Sequence, residues 1–137
     1  MKEGPILLVE DDSNDVLLVK RAFKKAGIKN PLVIKVEGDS AMEYLNGEER
    51  PLLILLDLKL PKKSGLEILK WIKEQPHLQR IPVIVLTSSM ERKDVNTAYD
   101  LGANSYLEKP FSLEKLDEIM NKIKSYWLDL NVYPNGA

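Results

Sequence analysis

Short apolar segments alternate along the chain with longer segments in which apolar residues recur every three or four positions. The short segments are typical of buried strands, and the longer ones are typical of helices with one apolar face. The predicted strands are 6–9, 32–36, 52–56, 81–86 and 105–107. Because a predicted helix follows each strand, the pattern indicates an α/β fold: a doubly wound, five-stranded parallel sheet with helices on both faces.

Polar residues mark where several of these helices begin and end. Ser64 has a glutamate three residues further on, at the spacing of a capping box, and Asp39 and Ser112 stand just before amphipathic segments. We therefore expect these three residues to be N-caps. Gly102 follows the helix predicted over 91–101 and is a stop signal.

Length and charge limit the classes of protein that the chain can represent. Its 137 residues suffice for one domain, expected over 1–125, with an apolar tail over 126–137 and no effector domain. The net charge is −1, which does not indicate nucleic-acid binding. No apolar run is long enough to span a membrane, and there is no signal peptide. The absence of cysteine excludes thiol chemistry, and we expect a cytoplasmic protein with no membrane partner.

Residues able to perform chemistry follow four of the five predicted strands. In a doubly wound sheet the carboxyl ends of the strands meet at one edge, and sites form there. The first strand is followed by three acidic residues, the third by one, the fourth by a hydroxyl and the fifth by an amine: Glu10, Asp11, Asp12, Asp57, Thr87 and Lys109.

Carboxylates gathered at one edge repel each other, by roughly 4 kcal/mol for two charges 4 Å apart at an effective dielectric near 20. A divalent cation relieves this repulsion. Oxygen ligands without cysteine or histidine select a hard cation, and few protein ligands favour Mg²⁺. The other groups suit phosphoryl transfer, with a carboxylate as nucleophile and an amine and a hydroxyl to hold the transferred oxygens.

Four stretches of the sequence closely resemble the receiver domains of response regulators, the CheY-like family. They are ILLVEDD (6–12), LLILLDLKLPKKSG (52–65), IPVIVLTSS (81–89) and GANSYLEKPF (102–111), and the likeness extends over roughly residues 4–124. The resemblance implies a flavodoxin-like fold and a two-component, phosphorelay function. In such a role the chain accepts a phosphoryl group from a histidine kinase, depends on Mg²⁺, and signals through protein contacts.

The resemblance also implies a role for each matching residue. Asp57 matches the phosphoacceptor. Among the metal ligands, Asp12 matches the direct carboxylate ligand, Asp11 matches its neighbour that acts through water, and the backbone carbonyl of Lys59 matches the third protein ligand besides Asp57 itself.

Three further positions match the switch residues of the family. Thr87 matches the hydroxyl that meets the phosphoryl group and moves on activation. Lys109 matches the lysine that pairs with a phosphoryl oxygen, and the Lys109–Pro110 bond matches a peptide that is cis in the family. Tyr106 matches the aromatic residue that moves inward behind the threonine.

Within the family, the chain resembles regulators that partner bacterial phytochromes and related kinases. The similarity lies in the loop 74–82, the sequence LTSS and the tail 126–134. His77, the chain's one histidine, is predicted at the opposite edge of the sheet from Asp57, so the donor histidine should belong to a partner kinase.

Two other functions use similar residues. An aspartate-nucleophile phosphatase also combines Asp, Thr, Lys and Mg²⁺, but its nucleophile usually ends the first strand in a D-x-D pattern, and Lys59 stands where the second Asp would be. An FMN-binding module of similar fold needs a phosphate-binding loop after the first strand. Acidic residues at that position would repel a phosphate.

The tail is unusually apolar for the end of a chain. It contains six apolar or aromatic side chains: Tyr126, Trp127, Leu128, Leu130, Val132 and Tyr133. Such a patch should be covered, either by its own domain or by a second copy of the chain. We expect a homodimer through the fourth helix, fifth strand, fifth helix and tail, with packing on its own domain as the alternative.

Overall fold

The computed structural model describes residues 1–134 and contains one parallel sheet in the order β2-β1-β3-β4-β5. All neighbouring strands are parallel. Their bounds are β1 (Ile6–Val9), β2 (Leu32–Lys35), β3 (Leu53–Leu56), β4 (Val83–Thr87) and β5 (Ser105–Glu108). The predicted fold class is confirmed, and strand bounds differ from the predicted ones by at most two residues.

A helix follows each strand. The bounds are α1 (Ser13–Lys25), α2 (Gly38–Leu45), α3 (Gly65–Glu74), α4 (Arg92–Asp100) and α5 (Leu113–Ile123). Ser64 and Ser112 are N-caps as predicted, since their side chains accept from the amides of the third residue beyond them.

The prediction that Asp39 caps α2 is wrong. The helix begins two residues earlier than a cap at Asp39 would give, at Gly38, and the extended residue before it is Glu37. The hydroxyl of Ser40 donates to the carbonyl of Glu37, which fixes this start. Asp39 therefore lies in the first turn, where a negative charge is favourable to the helix dipole.

The apolar core has two halves because side chains of the strands point alternately to opposite faces of the sheet. Leu7 and Val9 pack with α2, α3 and α4, whereas Ile6 and Leu8 pack with α1 and α5. The central strand β3 is buried along its whole length, as expected for a strand covered on both faces. At the carboxyl edge of the sheet, the chain passes from each strand toward the helix that follows it.

The last helix does not stop at the predicted domain boundary. A π-helical segment, Lys124–Leu130, continues directly from α5, and the amide of Asn131 donates to the carbonyl of Tyr126 at 2.7 Å. Within this segment Leu128 is fully buried and Trp127 is half-buried against the α1/α5 side of the core. Part of the predicted tail thus belongs to the domain, and residues 135–137 lie outside the described residues.

The first residues of the chain hold this segment in place. The amide of Lys2 donates to the carbonyl of Leu128 at 2.7 Å, and the ammonium of Lys124 donates to the carbonyl of Ala26 at 2.9 Å.

Within residues 1–134, no helix is both long enough and apolar enough to cross a bilayer.

Candidate functional site

Three site residues are the first residues beyond their strands: Glu10, Asp57 and Lys109. Backbone hydrogen bonds place them there. The amide of Asp57 donates to the carbonyl of Val9 at 3.1 Å, and the amide of Lys109 donates to that of Thr87 at 2.8 Å. Glu10 continues β1 in the same way. Because these bonds extend the ladders by one residue, the three side chains emerge next to each other at the carboxyl edge.

The ammonium of Lys109 joins three carboxylates. Its Nζ atom lies 2.6 Å from Oε1 of Glu10, 2.9 Å from Oδ2 of Asp15 and 2.9 Å from Oδ2 of Asp57. The side chains of Glu10 and Asp57 are 4% and 5% exposed, so charges are gathered in a poorly hydrated place. The structure thus brings the predicted Asp57 and Lys109 into direct contact.

Burial and charge shift the pKa values of this cluster. Burial raises the pKa of Glu10 from its ordinary value of 4.5 to about 7, and the charge of Asp57 adds to this rise, while the hydrogen bond from Lys109 opposes it. Burial alone lowers the pKa of Lys109, but its hydrogen bonds to the three carboxylates outweigh burial and raise that pKa. The cluster favours a protonated lysine.

Three carboxylates converge in a way that suits a metal ion. One oxygen each from Glu10, Asp11 and Asp57 lies within 4.8 Å of the others. Two of these residues are buried, while Asp11 is exposed and open to solvent. An all-oxygen donor set of this kind fits a hard divalent cation with some of its water retained.

Asp12 lies outside this cluster, which corrects its predicted place as the direct metal ligand. Its carboxylate accepts from the amides of Asn14 at 2.8 Å and Asp15 at 3.1 Å and so caps α1. Glu10 takes the place in the carboxylate cluster that the prediction gave to Asp12. The sequence held a signal for this: an aspartate just before a helical segment is a preferred N-cap, whereas Glu10 directly follows the buried strand.

The loop after Asp57 depends on a glycine. A side-chain carbon at Gly65 would collide with the backbone carbonyl of Asp57 and lie 2.6 Å from Cα of Leu58. The amide of Lys59 donates to Oδ1 of Asp57 at 3.2 Å, which orients that carboxylate. The role of the Lys59 carbonyl as a metal ligand stays a prediction.

Thr87 and Tyr106 are linked through Ser89. Thr87 is fully buried, and its hydroxyl oxygen accepts from the amide of Ser89 at 3.4 Å. The hydroxyl of Tyr106 donates to the backbone carbonyl of Ser89 at 2.7 Å, and its half-buried ring packs against the α2/α3/α4 side of the core. The two predicted switch residues therefore border the same short loop.

The predicted cis bond between Lys109 and Pro110 is not found, because residues 1–134 contain no cis peptide bond. The trans form is the ordinary preference of a peptide bond before proline, by about 0.5–1 kcal/mol. Lys109 reaches all three carboxylates with this bond in the trans form.

The family model described as the response regulator receiver domain matches residues 6–121. The chain belongs to this family. It therefore functions in phosphorylation-based signalling, and the resemblance seen in the four sequence stretches is confirmed.

Several relatives match nearly the whole chain. The response regulator Rcp1 of Synechocystis is 45% identical, over 94% of this chain and 92% of that protein. The probable methanogenesis regulatory protein FilR2 of Methanothrix harundinacea is 42% identical, over 96% of this chain and 88% of its own length.

Solved structures extend this likeness to the fold. The Mn²⁺-bound form of Rcp1 has 44% identity and a TM-score of 0.87, covering 96% of this chain and 99% of that chain. The phosphorylated cyanobacterial phytochrome response regulator RcpA has 40% identity and a TM-score of 0.90, covering 97% of this chain and 99% of that chain. Both resemblances include the tail region, because they reach well beyond residue 121.

Proposed function

We propose that the chain is a two-component response regulator that accepts a phosphoryl group from a histidine kinase onto Asp57 in a Mg²⁺-dependent reaction. The observation that carries this proposal is the contact between Asp57 and Lys109, with Nζ 2.9 Å from Oδ2, beside the carboxylate cluster. A nucleophile, a cation for the transferred oxygens and a set of metal ligands thus meet within one site.

The reaction needs no side-chain acid. A carboxylate oxygen of Asp57 attacks phosphorus, the bond from phosphorus to the donor breaks, and the leaving group takes the bonding electron pair. Lys109 stabilises the charge on the phosphoryl oxygens, and the hydroxyl of Thr87 donates to another of them. Water attack on the resulting acyl phosphate restores the carboxylate and releases phosphate, so the switch resets itself.

Magnesium would be held by Glu10, Asp11 and Asp57, with the Lys59 carbonyl as a further predicted ligand. Bound there, it supplies positive charge that offsets both the carboxylates and the incoming phosphoryl oxygens. The ligand chemistry supports Mg²⁺ over softer ions, and the Mn²⁺-bound form of Rcp1 supports a divalent cation in a similar protein.

A phytochrome-type kinase is the proposed donor. The likeness to the phytochrome response regulator RcpA over 97% of the chain supports this class. Within the chain itself, His77 is exposed in the loop between α3 and β4, at the sheet edge opposite Asp57. A donor histidine must therefore come from a second protein.

Intact mass measurement after treatment with acetyl phosphate and Mg²⁺ tests the proposal. The wild-type chain should gain one phosphoryl group and Asp57→Asn should gain none. Labelling that persists in Asp57→Asn would overturn the assignment. Many rounds of phosphate release from a monoester substrate would favour the phosphatase alternative instead.

A flavin-binding function has no support at this edge. The cavity lined by Glu10, Asp15, Lys109 and neighbouring apolar residues has a volume of about 30 Å³, whereas small-molecule pockets usually have roughly 300–1,000 Å³. The carboxylates would also repel a flavin phosphate.

We also propose a homodimer through α4, β5, α5 and the tail. Leu130 is 71% and Val132 is 86% exposed, although Leu128 just before them is buried. A shallow groove of about 630 Å³ follows β5 and the start of α5 and includes the fully exposed Phe111. Two-fold symmetry would let each tail cover the groove of the other copy.

The structure sharpens the test of this dimer. Deleting the tail would also remove Leu128 from the core, so Leu130→Ser combined with Val132→Ser is the better variant. Leu17→Ser is the matched control, since Leu17 is 61% exposed on α1. Sedimentation at tens of micromolar should show dimers for the wild type and the control and monomers for the double variant. A monomeric wild type, with and without a phosphate mimic, would leave self-packing as the explanation.

A further inference from the structure

The Lys109 ammonium is already in contact with three carboxylates in this structure. An ammonium carries three N–H groups, and its three partners are the carboxylates of Glu10, Asp15 and Asp57. A phosphoryl oxygen can accept from Lys109 only if one of these contacts is released. The carboxylate that is displaced should be the one whose release from Lys109 costs the least free energy.

Asp15 is the partner that leaves most easily. The side chains of Glu10 and Asp57 are almost completely buried, so in the metal-free site releasing either one leaves a charge without water or a counter-ion, and with Mg²⁺ bound both would stay in place as its proposed ligands. The side chain of Asp15 is 33% exposed and can be hydrated as soon as it is released. It also lies in the first turn of α1, where the helix dipole stabilises a negative charge without help from Lys109.

We propose that Asp15 is a positioning residue: its carboxylate holds Lys109 in front of Asp57 before phosphorylation and is the partner that a phosphoryl oxygen displaces. This inference rests on the proposed function. Asp15 thereby competes with every anionic phosphodonor for the same ammonium. Asp15 sets the phosphodonor concentration that the site requires, without contacting the transferred phosphoryl group itself.

Removing the charge of Asp15 should make the site bind anionic donors more tightly. At saturating Mg²⁺, the acetyl phosphate concentration that gives half-maximal labelling should fall about three- to tenfold in Asp15→Asn, as expected for one charge removed near a dianion. The maximal labelling rate should change much less. Asp15→Glu keeps the charge and should behave more like the wild type.

Salt separates this electrostatic competition from a structural effect. Higher ionic strength screens the charge of a partly exposed side chain, so the difference between Asp15→Asn and the wild type should shrink as salt is added. Glu114→Gln is the matched control because Glu114 is an exposed acid in the first turn of α5. Glu114→Gln removes one negative charge near a helix N-terminus. It should leave unchanged the acetyl phosphate concentration that gives half-maximal labelling.

A measurement on the metal-free protein tests the contact without any phosphodonor. The ammonium signal of Lys109 in ¹H–¹⁵N spectra should be protected from exchange in the wild type. It should broaden in Asp15→Ala, where no acceptor remains for the third N–H group, and persist in Glu114→Gln.

The outcomes distinguish this inference from the proposed function. If the wild type is labelled on Asp57 but Asp15→Asn has the same half-saturation and the same salt dependence, the inference is wrong and the proposed function stands. If the wild type takes up no phosphoryl group, the proposed function fails and the inference fails with it. A lower half-saturation in Asp15→Asn, restored by Asp15→Glu and reduced by salt, supports the inference.

Discussion

The hydroxyl of Tyr106 donates a hydrogen bond to the backbone carbonyl of Ser89 at 2.7 Å. Ser89 in turn donates its amide to the hydroxyl oxygen of Thr87 and its own hydroxyl to Asp94, which ties the loop after β4 to the first turn of α4. A motion of Thr87 toward a phosphoryl group would therefore reach both Tyr106 and α4.

Tyr106→Phe should uncouple this path. The variant loses one hydrogen bond, which usually costs about 0.5–1.5 kcal/mol of unfolding free energy. Its response to the phosphate mimic beryllofluoride should be smaller in α4, β5 and α5 than in the wild type. Backbone chemical shifts measure this, and Tyr99→Phe is the control, since Tyr99 is a half-exposed tyrosine of α4. Equal responses in wild type and Tyr106→Phe would contradict the coupling.

Asp11 and Asp12 should respond differently to mutation. Asp11→Asn removes a carboxylate of the metal cluster, so Mg²⁺ should no longer raise the melting temperature by linkage. Asp12→Asn should keep both the Mg²⁺ response and the helix, because asparagine is also a good N-cap. Asp12→Ala should lose about 0.5–2 kcal/mol of stability yet still respond to Mg²⁺. If the Mg²⁺ response were lost in Asp12→Asn but kept in Asp11→Asn, Asp12 would be the metal ligand, as the sequence predicted.

Glu10 should make the stability of the metal-free protein depend on pH. Its pKa is about 7 in the folded chain, above the ordinary 4.5, so folding favours the protonated form. The contribution of this proton is complete below pH 4.5 and is lost as the pH rises through 7. In the presence of a chelator, the unfolding free energy of the wild type should therefore fall relative to Glu10→Gln over this window. A constant difference between the two proteins would contradict the shift.

Gly65→Ala should damage the site more than a surface glycine change does. The new carbon would press on the backbone at Asp57 and Leu58, and overpacking of this kind usually costs about 1–3 kcal/mol. Labelling of Asp57 should slow because the acceptor loop must move. Gly47→Ala is the control, since a side-chain carbon there would lie 3.2 Å from the backbone carbonyl of Tyr44. Denaturant unfolding and labelling rates together check the prediction.

The sequence predicted the fold and most of the edge residues because the apolar periodicity is strong and the strands are short. It placed Asp12 rather than Glu10 in the carboxylate cluster, because Glu10, Asp11 and Asp12 are all acidic and the choice among them depends on where β1 ends and α1 begins. That boundary is set by backbone hydrogen bonds of Glu10 and by capping at Asp12. The run of three acidic residues does not by itself indicate where this boundary lies.

Two further features lay beyond prediction from the sequence. The contact between Asp15 and Lys109 joins residues 94 positions apart, and the packing of α1 against α5 on one face of the sheet brings them together. The π-helical turn after α5 continues the apolar stripe with a changed period, so Leu128 turns inward while Leu130 stays outside. A regular 3.6-residue repeat does not indicate this change of face.

Glu10, Asp57 and Lys109 each stand one residue past the end of a strand, where parallel pairing finishes. Side chains alternate along a strand, so a slip of a single residue in β1 or β3 would turn Glu10 or Asp57 toward a helix layer. Under the proposed function, a molecule whose β3 is out of register would not present Asp57 for phosphorylation. Uptake of phosphoryl label would then measure the fraction of molecules whose central strand is in register, and it can serve as an assay of folding as well as of signalling.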